Sequence, residues 1–270
     1  MKVDKETGVF YNQWCVPNPQ AVLLLVHGLG GHSSRWEFLS HFFQKNRINS
    51  YAIELKGFGQ TQDLRGHIDS FNIYFDDIRT LCAIITKESP EAKIFILGES
   101  LGALLAFLMA IFEPGLFSGL ICLSPAFRSR LKFSFLDYIK VCMSLLVDPQ
   151  KQFPVPFTAA MCTRDRHCQA MMDQDEREHR FASSRLLINI LMAQLRVWFI
   201  KNKLSIPTLF LASGNDYLVD PKASIKVFEA LKIEDKTIIL YPEMYHALSI
   251  ELDREKVFQD ILQWVEGKLS

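Results

Sequence analysis

Apolar residues follow two rhythms along this chain. Short unbroken runs, AVLLLV at 21–26, KIFIL at 93–97 and TLFLA at 208–212, show no alternation, which suits strands covered on both faces. With 8–16, 50–55, 119–123 and 237–241 they make seven predicted strands. Between them the spacing turns helical. Residues 34–45 put Trp36, Leu39, Phe42 and Phe43 on one stripe. Residues 70–87 put Ile73, Ile78, Leu81, Ile84 and Ile85 on one face and Asp77 on the polar one, and 257–265 repeat Ile261, Leu262 and Val265.

Such alternation predicts an α/β protein: a mostly parallel central sheet flanked by helices. One stretch departs from it. Residues 126–204 contain no convincing strand and three helix-like segments, SFLDYIKVCMSLLV, RHCQAMMDQDEREHR and SRLLINILMAQLRVWFI. This is too long for a simple loop and reads as a helical cap inserted late in the chain. The expected organisation is a core of residues 1–125 and 205–270 with a cap at 126–204. A length of 270 residues accommodates that core as one unit.

Composition narrows the class. Charged residues make up 22% and hydrophobic ones 49%, a globular balance. Lys and Arg total 30, as do Asp and Glu, and that neutrality argues against a nucleic-acid partner. The first residues, MKVDKETGVFYNQW, lack the apolar core of a secretory signal, and the longest apolar stretch, 103–112, is half a membrane span, so a cytoplasmic location is expected. The six cysteines, Cys15, Cys82, Cys122, Cys142, Cys162 and Cys168, then read as reduced core thiols. Cys162, His167, Cys168 and His179 lie close in sequence, but no zinc spacing relates them, and no metal is expected.

The segment GESLG, residues 98–102, sits between the strand KIFIL and the helix-like LGALLAFLMAIF. Its serine is either a helix cap or an attacking group. G-x-S-x-G between a strand and a buried helix favours the second, because the glycines permit a tight turn that lifts the serine oxygen clear of the sheet. A hydroxyl attacks only if a base takes its proton and an acid orients that base. Of the seven histidines, His246 follows the last predicted strand, in YPEMYHAL, where a loop can reach back to Ser100. For the acid, SGNDYLVDP offers Asp216 and Asp220. Asp220 directly precedes Pro221 and an amphipathic segment, the place of a helix cap with proline at the first position. That leaves Asp216 to orient His246. The glycine loop His27-Gly28-Leu29-Gly30-Gly31 follows a strand, and the backbone N–H of Leu29 with that of Leu101 would form an oxyanion hole. A phosphate cradle is disfavoured, since the loop lacks the G-x-x-x-x-G-K-[ST] spacing.

These segments resemble the α/β-hydrolase superfamily, and within it the monoacylglycerol lipase and lysophospholipase-like group. The matching motifs are HGLGGHSSRW (27–36), YAIELKGFGQT (51–61), GESLG (98–102), SGNDYLVDP (213–221) and YHALSIE (245–251). The resemblance implies an α/β-hydrolase fold. It implies Ser100, Asp216 and His246 as nucleophile, acid and base, with Leu29 and Leu101 as oxyanion donors. It further implies hydrolysis of acyl esters such as monoacylglycerols or lysophospholipids through an acyl-enzyme on Ser100, without metal or organic cofactor. Glu54, Lys56 and Thr61 stand where the group has Asp, Arg and Ser, in a loop read as structural, and the cap matches only loosely. That cap is rich in Phe127, Phe133, Phe135, Leu136, Met143, Leu145, Phe153 and Phe157, which favours a fatty acyl chain and admits transient contact with a lipid surface. Two rival readings are an aminopeptidase of the same architecture and a non-catalytic ligand-binding relative. The first would need carboxylates among Asp173, Asp175, Glu176 and Glu178. With Arg177 and Arg180 interleaved, that run reads as a solvated helix face. Nothing in the pattern sets an oligomeric state.

Overall fold

The computed structural model describes residues 1–132 and 134–269; Phe133 lies outside them. The chain opens with β1 (Lys2–Val3), β2 (Phe10–Trp14) and β3 (Ala21–Val26), then α1 (Glu37–Lys45) and β4 (Ile48–Ile53). There follow α2 (Phe71–Glu88), β5 (Lys93–Glu99), α3 (Leu101–Phe112) and β6 (Gly119–Leu123). The next stretch holds α4 (Phe135–Val147), β7 (Gln152–Pro154), α5 (Ala159–Cys162), α6 (Arg166–Gln174), β8 (Phe181–Ser183) and α7 (Ser184–Ile200). The chain ends with β9 (Thr208–Ser213), α8 (Pro221–Ala230), β10 (Lys236–Tyr241) and α9 (Arg254–Glu266).

Eight strands form one sheet in the order β1-β2-β4-β3-β5-β6-β9-β10. The pairs β1–β2 and β2–β4 are antiparallel and the remaining neighbours parallel. The unalternating runs are explained by two cores. Val22, Leu24 and Val26 of β3 pack into one beneath α2 and α3, while Ala21, Leu23 and Leu25 pack into the other with α1 and α9. Burial on both faces removes the need for a polar alternate position. Strand order reverses at β3, with β4 on one side and β5 on the other, and a parallel sheet opens a crevice at the carboxyl ends of such strands. There Val26 pairs with Gly98, bringing the loop after β3 beside the turn after β5.

The structure departs from the sequence reading in several places. Residues 126–204 do contain strands: β7 and β8 pair as an antiparallel ribbon. Asp77 is buried rather than on a polar face, and its carboxylate accepts a 2.9 Å hydrogen bond from Lys56 Nζ. The run from Asp173 to Arg180 is no solvated helix face, because α6 ends at Gln174 and the Glu178 side chain is only 6% exposed. Cys142 is exposed, unlike a core thiol. Among the described residues no helix is long and apolar enough to cross a membrane, and no group of three or more His, Cys, Asp or Glu could hold a metal ion.

Candidate active site

Ser100 occupies the turn between β5 and α3 with φ 58° and ψ −117°, left-handed backbone that a non-glycine residue adopts only under constraint. The constraint is packing. A Cβ at Gly98 would lie 2.2 Å from the carbonyl oxygen of Gly102, and a Cβ at Gly102 would lie 2.0 Å from that of Val26. Both obstacles are backbone, which cannot swing aside, so these positions tolerate only hydrogen. The turn is held further by Ser100 N donating to Leu123 O and by Leu104 N and Ala126 N donating to Ser100 O. Gly102→Ala should therefore destabilise the fold by at least ~3 kcal/mol in urea unfolding; a loss below ~1 kcal/mol would show that β3 can retreat from α3.

The glycine loop after β3 sits against this turn. A Cβ on Gly28 would come within 3.2 Å of Ser100 Cβ. His27 pins the loop. Its buried Nε2 accepts from Leu55 N at 3.1 Å, so the ring proton is on Nδ1 and donates to Gly28 O at 2.9 Å. Burial pushes the His27 pKa down, which keeps that neutral tautomer. Glu54 adds a brace across the loops: its two oxygens accept from Ser33 N at 2.5 Å and Gln60 N at 2.8 Å. Leu101 is the first residue of α3, where an amide has no helical carbonyl to meet, and Leu29 lies in the glycine loop. Both residues line the same cleft as Ser100.

His246 lies on the loop between β10 and α9. Its Nδ1 donates to Asp216 Oδ2 at 2.8 Å, and Asp216 is almost wholly buried on the loop after β9. The other oxygen, Oδ1, accepts from Leu218 N and Val219 N at 2.8 and 2.9 Å, so the carboxylate has little freedom to turn. Asp220 has different work: it caps α8, accepting from Lys222 N at 3.1 Å ahead of Pro221. Burial alone would push the His246 pKa down. The Asp216 charge and hydrogen bond outweigh it, and Glu99 adds to them, so the net shift is upward.

Ser100, Leu29, Leu101 and His246 line one cleft of about 890 Å³, its open mouth included, together with Arg35, Glu99, Cys162 and Phe157. Leu131, Val155, Ile190 and Gln194 continue it into an apolar trough lined by Val141, Leu187 and Leu191 of α4 and α7. On the opposite side, Arg35 donates to the buried Glu178 at 2.7 Å, and His32 Nε2 lies 3.1 Å from Asp175. Burial first, then the charges of Arg177 and Arg35, lower the His32 pKa to about 4, leaving that ring neutral near pH 7. The sequence reading missed His27, Glu99 and Arg35. A buried polar side chain leaves no periodicity, although the HGLGGHSSRW motif contains two of the three.

An oriented imidazole, a serine on a strained strand–helix turn and amides at a helix start share one crevice of a mostly parallel sheet. This is the arrangement of an α/β-hydrolase, and the chain is an enzyme of the serine hydrolase class. More narrowly, it belongs to the family described as serine aminopeptidase, S33, whose model matches residues 17–253. It is 28% identical to the human (Homo sapiens) monoglyceride lipase over 256 residues, covering 93% of this chain and 84% of that one. It is 26% identical to the Bacillus subtilis phospholipase YtpA, covering 91% and 95%. Among solved structures, the Paleococcus ferrophilus monoacylglycerol lipase superimposes with a TM-score of 0.88 at 23% identity, over 96% and 99% of the two chains. A soluble variant of the Saccharomyces cerevisiae monoglyceride lipase, bound to a substrate analogue, gives 0.86 at 21% identity, over 96% and 92%.

Proposed function

We propose that this enzyme hydrolyses carboxylic esters of fatty acids, such as monoacylglycerols or lysophospholipids, through an acyl-enzyme on Ser100. In this reading Ser100 attacks the ester carbonyl while His246, oriented by Asp216, takes its proton. The amides of Leu29 and Leu101 hold the oxyanion, the alcohol leaves with a proton from His246, and water activated by the same ring releases the acid. The residues present need no metal or organic cofactor for these steps. The observation that carries the substrate class is the apolar trough running from Ser100 between α4 and α7. Its lining is mostly aliphatic, with Ser129, Asp137, Tyr138 and Gln194 as the polar or aromatic exceptions, and suits an acyl chain better than a sugar or phosphate.

An aminopeptidase activity would need carboxylates free to bind a substrate ammonium. Three of the four cap candidates already have cationic partners: Asp173 with Arg180, Asp175 with Arg177, and Glu178 with Arg35. The fourth, Glu176, is exposed. A panel of p-nitrophenyl esters from acetate to long-chain acyl, run beside amino-acid nitroanilides, tests the choice. Ester turnover rising with chain length is expected; preferred anilide cleavage would overturn it.

The same reading makes residues 126–204 a cap over the core formed by 1–125 and 205–270, and makes its outer face a docking surface for an anionic lipid layer. Phe135, Leu136, Met143, Leu146 and Val147 of α4 are exposed beside Met192 and Phe199 of α7. The segment also carries 13 Lys and Arg against 7 Asp and Glu, whereas the rest of the chain has 17 against 23. An excess of cations in the segment that carries this apolar face, Lys132 and Lys140 at α4 among them, matches a negatively charged interface, each cation near such a surface contributing about 1 kcal/mol. Replacing Lys132 and Lys140 by Glu should reduce co-flotation with phosphatidylserine-containing vesicles at least tenfold and leave turnover of a short soluble ester within twofold. Undiminished flotation would refute the docking face.

A further inference from the structure

We infer that Glu99 is a positioning residue for His246: it ties the histidine loop to the nucleophile turn and supplies a second negative charge in the cleft that holds the imidazole. The inference rests on the roles proposed above for Ser100, Asp216 and His246. Glu99 is the variable residue of the G-x-S-x-G turn, adjacent to Ser100, and a charged side chain there has no obvious use in packing. The structure shows where it goes. Its side chain is buried among the residues lining the catalytic cleft, and its carboxylate accepts from Ser249 N at 3.0 Å and from Ser249 Oγ at 2.8 Å. Ser249 is three residues after His246 and 150 residues from Glu99 in the chain. The contact therefore clamps one end of the histidine loop to the turn that carries the nucleophile.

The rest of that loop is fastened elsewhere. Ser213 Oγ donates to Tyr245 O at 2.6 Å, and Tyr245 N donates to Glu251 Oε1 at 3.0 Å. Ala247 N donates to Cys162 O at 2.8 Å. Glu99 alone among these fasteners joins the histidine loop directly to the residue beside the serine.

These contacts suit an ionised carboxyl. One oxygen faces a backbone N–H, which can only donate, and the other accepts a hydroxyl proton. Burial pushes the Glu99 pKa up, while the Ser249 hydrogen bonds and the charges of His246 and Arg35 hold it back. The groups acting on the imidazole are Asp216 from the loop after β9, Glu99 from the nucleophile turn and Arg35 from the turn before α1. The two carboxylates favour the imidazolium and the guanidinium opposes it. Because the imidazolium forms as Ser100 attacks, a buried carboxylate lining the same cleft stabilises the charge that develops in the transition state.

The test separates charge from tether. Glu99→Gln keeps an acceptor for Ser249 N and offers Ser249 Oγ a donor, so it removes mainly the charge. Ser249→Ala keeps the charge and removes one of the two bonds. The readout is the pH dependence of kcat/KM for a soluble ester, with fluorophosphonate labelling of Ser100 as a second measure that needs no turnover. Wild-type enzyme should lose activity as pH falls through a pKa above the ordinary imidazole value of 6.5. In Glu99→Gln that acid limb should move down by at least half a unit, with the plateau lowered about tenfold. In Ser249→Ala the plateau should drop severalfold with the limb unmoved. A Glu99→Gln limb coincident with wild type, or an equal displacement in Ser249→Ala, would overturn the inference. Should Glu99→Gln not fold, the Ser249→Ala profile still decides, since a plateau equal to wild type would dismiss the tether. His246→Gln is the arm that tests the underlying assignment: if it turns over ester like wild type, the catalytic roles themselves are wrong.

Discussion

Ser100→Ala should lower ester turnover by roughly 10⁴–10⁶-fold and leave the protein folded. That magnitude is what removal of a triad nucleophile costs where it has been measured, the residual rate coming from binding and the oxyanion donors. The fold should survive because the bonds that hold the turn are made by backbone: Ser100 N to Leu123 O, and Ser100 O from Leu104 N and Ala126 N. Alanine at φ 58° is as strained as serine there, so thermal midpoints should agree within a few degrees. Ser100→Gly should go further. Glycine accepts this backbone without steric strain, a gain of about 1–3 kcal/mol set against its entropy cost of about 0.5–1 kcal/mol, so the inactive variant should be the more stable one. Retained activity in Ser100→Ala would place the nucleophile elsewhere. A glycine variant less stable than the alanine one would mean that any strain in the turn is smaller than glycine's entropy cost of about 1 kcal/mol.

The second large effect is expected at Asp216. Asp216→Asn should cost about 10⁴-fold in kcat. The amide oxygen can still accept from Leu218 N and Val219 N, so the loop keeps its shape. The amide nitrogen then faces His246 Nδ1, and two donors cannot share a hydrogen bond. The imidazole must place its proton on Nε2, the position from which it should accept the proton of Ser100. Asp220→Asn is the control. Its carboxylate caps α8, and asparagine caps a helix nearly as well, so kcat should stay within severalfold and stability should fall by less than about 1 kcal/mol. Steady-state kinetics with urea unfolding on both variants decides the matter; interchanged phenotypes would make Asp220 the orienting acid.

Much of this architecture can be read along one dimension. The runs at 21–26 and 119–123 coincide with β3 and β6, because a strand buried on both faces must be apolar at every position. Ser100, between such a strand and an all-apolar helix, is conspicuous for the same reason. Shorter or more distant relations escape. The β7–β8 ribbon is three residues per strand, QFP against FAS, too short to establish a period. Asp77, in α2, looks like a polar-face residue because its partner, Lys56, lies 21 positions earlier on the loop after β4. Glu178 looks solvated until Arg35, 143 residues away, is seen to neutralise it.

Local patterning thus settled the longer strands and helices, and which turn would bear a strained serine, since those properties depend on neighbours within a few residues. Chain folding settled the electrostatics: which carboxylate faces His246, how Glu99 meets Ser249, and where the cleft opens into an apolar trough. Hydrogen bonds and charges act over a few ångströms of space regardless of separation along the polypeptide, so no window of sequence contains them.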